Sequence, residues 1–293
     1  MKPFQCTFEA IGTVWVIDVF DALSRTDQEH IISQVHKRIE EYDLVYSRFR
    51  KESLVSTMAR KEGEYTMPKD AKELFTLYRK LYDISEGAFT PLIGNVLHDT
   101  GYDAEYSLKP KEVIRPVPTW DATFDFRYPK LIMKKPAILD FGAAGKGHLV
   151  DQVGRVLELS GISSYCVDAG GDMLYKSLTK EPMRIGLEHP ANPKQVIGVV
   201  TVENGSICGS AGNRRKWDQY NHILNPHTRT SPTDILSVWV LAKKTILADA
   251  LATALYFTSA DQLSEQFEFE YAMLYKDYSL RKSDTFPGEI FYK

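Results

Sequence analysis

The sequence predicts an α+β fold, and three observations carry that expectation. A run rich in β-branched and aromatic residues opens the chain. Two long stretches repeat apolar residues at three- and four-residue steps. A glycine-punctuated strand–loop–helix–strand unit follows residue 137.

Residues 8–20 read as one strand with a bulge or close backbone approach at Gly12. The next element is a helix: Thr26 and Glu29 form a capping-box pair, and Ile31, Val35, Ile39, Tyr42 and Val45 mark one buried face ending near Tyr46. A second helix starts at Asp70 with Glu73, carries Leu74, Leu77, Leu81 and Ile84, and stops at Gly87. A Gly/Pro-punctuated loop spans 87–101. The four prolines within 109–135, around alternating Phe124 and Phe126, predict loops and short strands.

From there the pattern is a strand at 138–141, a loop with Gly142, Gly145 and Gly147, a helix at 148–160 stopped by Gly161, and a strand at 164–168 before Gly170-Gly171. Strands at 183–187 and 197–202 lead into a polar loop that ends in Asn221-His222-Ile223-Leu224-Asn225-Pro226. A strand at 235–242, a helix at 245–257, and a tail of one short helix and a closing hairpin complete the chain. With no internal repeat and no low-complexity linker, residues 1–293 read as a single domain.

Composition narrows the function classes. The chain is 43% hydrophobic, and its 36 Lys plus Arg against 39 Asp plus Glu give a net charge of -3 with both signs scattered. No field of that kind favours wholesale binding to nucleic acid or to an anionic membrane. Cys6, Cys166 and Cys208 are far apart and form no CxxC pair, which predicts small apolar fillers. The N-terminus, Met1 to Phe8, reads as the start of a strand. With no signal-peptide core and no run long enough to span a membrane, the chain reads as cytoplasmic, with export after leader trimming left open.

Four constellations bear on chemistry. In Asp140-Phe-Gly-Ala-Ala-Gly-Lys146-Gly, a carboxylate ends a strand and a lysine sits in a glycine loop opening a helix, a place suited to an anion. The spacing is not that of a Walker A loop, and a plain packing turn is the alternative. Asp249 and Thr253 lie four apart on one helical face, where they can share an oxygen-seeking cation, or Asp249 can simply cap the helix. His222 is placed to accept a hydroxyl proton or to serve a structural role. Arg214-Arg215-Lys216 with Trp217 can meet a phosphate or an aromatic base, or form a solvated loop. Phe89, within Gly87-Ala88-Phe89-Thr90-Pro91, stacks on a flat ring if exposed and anchors the core if buried.

In order and spacing these motifs resemble the ApbE family, the FAD:protein FMN transferases. The resemblance runs through Ala10-Ile11-Gly12-Thr13, Tyr46-Ser47-Arg48-Phe49 with Ser53, Gly87 to Pro91, Leu139 to Gly147, Asp168 to Gly171, His222 to Pro226 and Ala248 to Thr253. It implies a T-fold-like core with two intimately joined lobes and FAD in the cleft between them. Ile11, Phe49, Ala88, Phe89, Thr90, Asp140, Lys146 and Ile223 would line the FAD site. Asp249, Thr253 and the Ala143 carbonyl would hold Mg²⁺, and His222 with Lys146 would serve catalysis. The partner implied is an acceptor flavoprotein subunit or domain presenting Thr or Ser. FAD hydrolysis to FMN and AMP, or FAD binding without turnover, are the alternatives. Ile11, Thr90, Asn225 and Arg229 stand where the family usually has Met, Asp, Asp and Gly.

Overall fold

The computed structural model describes residues 4–291. Met1-Lys2-Pro3, the first part of the N-terminal segment read above as the start of a strand, lies outside them, and Phe4 to Phe8 belong to that strand. The opening segment is two strands rather than one: β1 (Phe4–Ala10) and β2 (Thr13–Val19) pair antiparallel with Ala10 opposite Thr13. Between them Ile11 and Gly12 both have positive φ, +43° and +73°. Two consecutive residues of that kind make a tight hairpin turn, so Gly12 marks the reversal of the chain and not a bulge.

Helix α1 (Arg25–Tyr46) ends where periodicity places it but starts slightly earlier, because Ser24 accepts from Asp27 N at 3.2 Å and takes the cap expected of Thr26. After α2 (Leu54–Met58) and β3 (Gly63–Thr66) comes α3 (Ala71–Ile84). Asp70 precedes it without capping it: its carboxylate is taken by Arg38 and by Tyr46 Oη. The expected loop after Gly87 holds a 3-10 turn (Pro91–Ile93) and α4 (Gly94–Asp99). Then come α5 (Trp120–Thr123), β4 (Phe124–Arg127) and β5 (Lys130–Met133), with β5 pairing on one side with β3 and on the other with β4 in a three-stranded sheet.

Residues 138–141 are not a strand. Leu139 and Phe141 are buried in alternation as in a strand, but this stretch joins no sheet and Asp140 N donates to Pro91 O. Period-two burial therefore reflects an extended segment wedged between elements. Helix α6 (Gly145–Leu159) follows, then β6 (Tyr165–Ala169), β7 (Met173–Lys176), β8 (Met183–His189), β9 (Asn192–Val202) and β10 (Gly205–Ala211). The expected polar loop thus contains a strand, hidden by the weak β-propensity of Gly205-Ser-Ile-Cys-Gly-Ser-Ala211. The chain closes with β11 (Lys216–Trp217), β12 (Tyr220–Asn221), β13 (Ile235–Ala242), α7 (Thr245–Ala254), α8 (Ala260–Ser264), β14 (Glu270–Tyr275), β15 (Leu280–Lys282) and β16 (Gly288–Ile290).

The main sheet is antiparallel, in the order β1-β2-β6-β7-β10-β13-β14-β15, and a three-stranded sheet runs β16-β9-β8. Alternation along the central strands shows both faces buried. Val238, Val240, Tyr271 and Met273 join the core under the helices, while Trp239, Ala272 and Leu274 join Leu187, Ile197 and Val200 of the small sheet. Helices, main sheet and small sheet are therefore three layers. On α6, Leu149, Val153 and Leu157 are fully buried, each worth about 1.5–3 kcal/mol of apolar transfer. Cys166 and Cys208 are buried among apolar residues and Cys6 is partly buried, as expected of fillers. Among the described residues no helix is long and apolar enough to cross a membrane.

Candidate functional site

Helices α6 and α7 cross so closely that no side chain fits at Gly147, where a Cβ would lie 2.3 Å from Thr245 O and 2.6 Å from Asp249 Cβ. At that crossing Gly147 N donates to Asp249 Oδ2 at 2.7 Å, and Asp151 of α6 accepts from Thr245 N and Ile246 N at 2.9 Å each. Asp151 thus caps α7, a role sequence reasoning left open for Asp249. Asp249, held by Gly147 N through one oxygen, lines the cleft beside the crossing.

The cleft measures about 640 Å³, within the range of small-molecule sites. Lys146, Asp172, Asp249 and Thr253 lie at its floor, and His222 lines it from a different part of the chain. Lys146 Nζ forms an ion pair with Asp172 Oδ2 at 2.8 Å. Burial opposes charge on Lys146, yet Asp172 and Asp249 together hold its ammonium above the usual range. Asp249 is pushed well up, first by burial and then by the negative charge of Asp172, with Lys146 and the Gly147 N–H opposing the shift. Two carboxylates crowd one cation, and the floor is short of positive charge.

Thr253 Oγ1 lies 3.4 Å from Ser210 Oγ, and Ala143 lines the cleft beside Lys146. Among the described residues no three His, Cys, Asp or Glu side chains gather as a metal centre. His222 is half-buried, its backbone N donates to Arg215 O at 3.2 Å, and its Nδ1 is buried without a hydrogen-bond partner among the described residues. Burial, with the nearby Arg215 and Lys146 cations, pushes its imidazole down to about 4. It is neutral at pH 7.

The wall near Asp140 is aromatic. Asp140 Oδ1 accepts from Gly142 N at 2.8 Å and its other oxygen takes Arg48 Nε. The Arg48 guanidinium lies 4.1 Å from the Phe49 ring and 5.1 Å from that of Tyr102. Phe49 also stacks on Tyr106 at 5.3 Å, so much of its ring is already engaged. Phe89 lines the cleft but its ring packs on Tyr78 at 4.9 Å and is only 2% exposed, which makes it a core anchor and not a free stacking surface. Ala88, Thr90 and Ile223 are buried at the lining as well. Ile11 is the exception: its turn meets the cleft through Gly12 and Thr13. Trp217 is buried too, stacked on Tyr102 at 5.5 Å and donating to Thr100 O at 2.7 Å, so the basic cluster presents no free indole to a base.

The positions at which the motifs vary have local work. Arg229 has φ +61°, a conformation that favours glycine, and its Nη1 donates to Ile114 O at 2.8 Å. Asn225 Oδ1 accepts from His227 N and Thr228 N, and Thr90 Oγ1 from Leu92 N, as an Asp would at either place.

The ApbE family model matches residues 11–273. The chain belongs to the ApbE family. This ApbE chain is 25% identical over 261 residues to the FAD:protein FMN transferase of Vibrio cholerae, covering 84% of itself and 78% of that protein. It is 26% identical over 275 residues to the FAD:protein FMN transferase of Treponema pallidum, at 84% and 76% coverage. The ApbE protein of Thermotoga maritima superposes with a TM-score of 0.83 at 19% identity, over 97% of this chain and 98% of that one, which shows a common mixed α+β fold.

Two residues at the cleft, Asp172 in its lining and Arg48 behind Asp140, escaped sequence reasoning. Arg48 lay within a quoted motif without a role. Asp172 had one signal, a carboxylate directly after the Gly170-Gly171 turn.

Proposed function

We propose that this chain transfers the FMN half of FAD to a Thr or Ser hydroxyl of an acceptor protein and releases AMP, with Mg²⁺ as cofactor. The observation that carries this reading is the convergence of Lys146, Asp249, Thr253 and a neutral His222 in one cleft, from segments distant in sequence, in a member of the ApbE family.

The floor suits a cation: Asp172 and Asp249 press on a single lysine. Asp249, the Thr253 hydroxyl and the Ala143 carbonyl would hold Mg²⁺, an all-oxygen set that leaves room for phosphate. When bound, the ion supplies charge neutralisation to the pyrophosphate. Lys146 binds the same anion from the α6 N-terminus. Phe49, Ala88, Phe89, Thr90, Asp140 and Ile223 line the FAD site, with Ile11 acting through its turn.

His222 accepts the acceptor hydroxyl proton. The oxygen forms a bond to the FMN phosphorus as the anhydride P–O bond breaks, and the electron pair leaves on AMP, which can take up the proton. An anion bound beside His222 raises its pKa from about 4 toward the working range.

Calorimetry with FAD, with and without Mg²⁺, followed by chromatography of the mixture, tests this reading. The expected result is micromolar binding, about -8 kcal/mol, with Mg²⁺-dependent AMP release that is lost in Lys146→Met. Absence of FAD binding to the unaltered protein overturns it.

A further inference from the structure

Strand β8 borders the cleft in an unusual way. Four consecutive residues, Ile185, Gly186, Leu187 and Glu188, line it. Successive side chains of a strand point to opposite faces, so the side chains of Ile185, Gly186 and Leu187 cannot all face one way, and Glu188 follows at a register shift in the β8–β9 pairing. The main chain of β8 itself therefore fronts the cleft.

That edge is unpaired. In the order β16-β9-β8 the strand has a neighbour on one side only. Among the described residues, the backbone of Met183–His189 forms no hydrogen bond outside the β8–β9 ladder. A row of N–H and C=O groups is left facing the cleft, which is a template for one more strand. Gly186 has no side chain to screen the middle of the row. At the far end Arg214 pairs with Glu188 at 2.7 Å and Asn213 donates to Pro190 O, which limits the free edge to about four residues, roughly 13 Å.

We propose that the β8 edge docks the acceptor: an extended peptide segment adds to the small sheet as a further strand and carries its Thr or Ser hydroxyl into the cleft that His222 lines. This rests on the transferase reading. The occupant is a peptide because the row offers peptide-spaced donors and acceptors, which a flavin ring or a pyrophosphate does not complement. Pairing also fixes which alternate residues of the guest face the reaction. One hydroxyl is thereby selected without a deep side-chain pocket.

The test uses the unaltered full chain with FAD, Mg²⁺ and a library of short peptides with a central threonine and random flanks. Flavinylated peptides are found by mass and AMP is followed separately. The best peptide is then remade with its backbone amides N-methylated one at a time. Loss of transfer by about tenfold or more at alternate positions, the cost of one main-chain hydrogen bond, with near-full transfer at the positions between, supports edge pairing. Uniform tolerance, or loss at consecutive positions, overturns it. If FAD is cleaved to AMP but no peptide is flavinylated, the docking proposal fails while FAD cleavage stands. If no AMP appears at all, the transferase reading fails and takes this proposal with it.

Discussion

The floor of the cleft and its rim are held together differently. At the floor, α6 and α7 touch backbone to backbone at Gly147, and Lys146, Asp172 and Asp249 project from that rigid crossing with their charges unbalanced. At the rim, residues 100–118 and 212–231 are joined by polar tethers. Arg115 and Lys111 both reach the buried Asp99, Arg215 donates to Tyr102 Oη at 3.0 Å, and Trp217 and Arg229 donate to backbone carbonyls. Close packing fixes distances and tolerates local electrostatic cost, which suits groups that act on phosphate. Hydrogen-bonded loops open at lower cost, which suits entry of a large substrate.

If that contrast is right, the largest effect comes from a floor substitution that leaves the fold alone. Asp249→Asn keeps an acceptor for Gly147 N and removes the charge repelled by Asp172. AMP release is expected to fall on the order of 10²–10³-fold, while the melting temperature holds or rises. A melting temperature that drops sharply would mean the carboxylate is structural.

A rim substitution sits in the middle. Burial raises the Asp99 carboxyl, but bonds from Arg115 and Lys111 outweigh it and hold the group down at about 2. Because the folded value is depressed, its stabilisation is present above the unfolded carboxylate range and is lost as pH falls toward 2. Asp99→Asn is expected to cost about 1–3 kcal/mol of local stability. Hydrogen exchange should rise across 100–118 with α6 and α7 unchanged, and exchange that rises equally in the helices would erase the distinction between floor and rim.

The smallest effect is the titration of His222. The unfolded chain binds its proton near 6.5, whereas the folded chain does so only near 4. Its contribution to stability is therefore full above 6.5 and is lost as pH falls toward 4. Melting temperatures between pH 4 and 7 should decline less steeply for His222→Asn than for the unaltered protein, and parallel curves would place the imidazole in water.

Much of this was legible in the sequence. The 3.6-residue period of Ile31, Val35, Ile39 and Tyr42 is a local property, and it determined α1 apart from its first residue. The run Ile235–Ala242 carries β-branched and aromatic Ile235, Val238, Trp239 and Val240 and forms its strand with the bounds expected. Lys146, Asp249, Thr253 and His222 were recognisable because their motifs are short and ordered. What the sequence left open depended on partners far along the chain. Alternation at 139 and 141 is compatible with a strand or a wedged extended segment, and only the absence of a neighbouring ladder separates them. Phe89 and Trp217 carry the same side chains whether they face a ligand or a core, and packing on Tyr78 and Tyr102 decided for the core. Asp172 and the β8 edge acquire meaning only from the cleft they border. Local propensity and periodicity are written in consecutive residues, but orphaned charges and unpaired edges are properties of what the rest of the fold fails to cover.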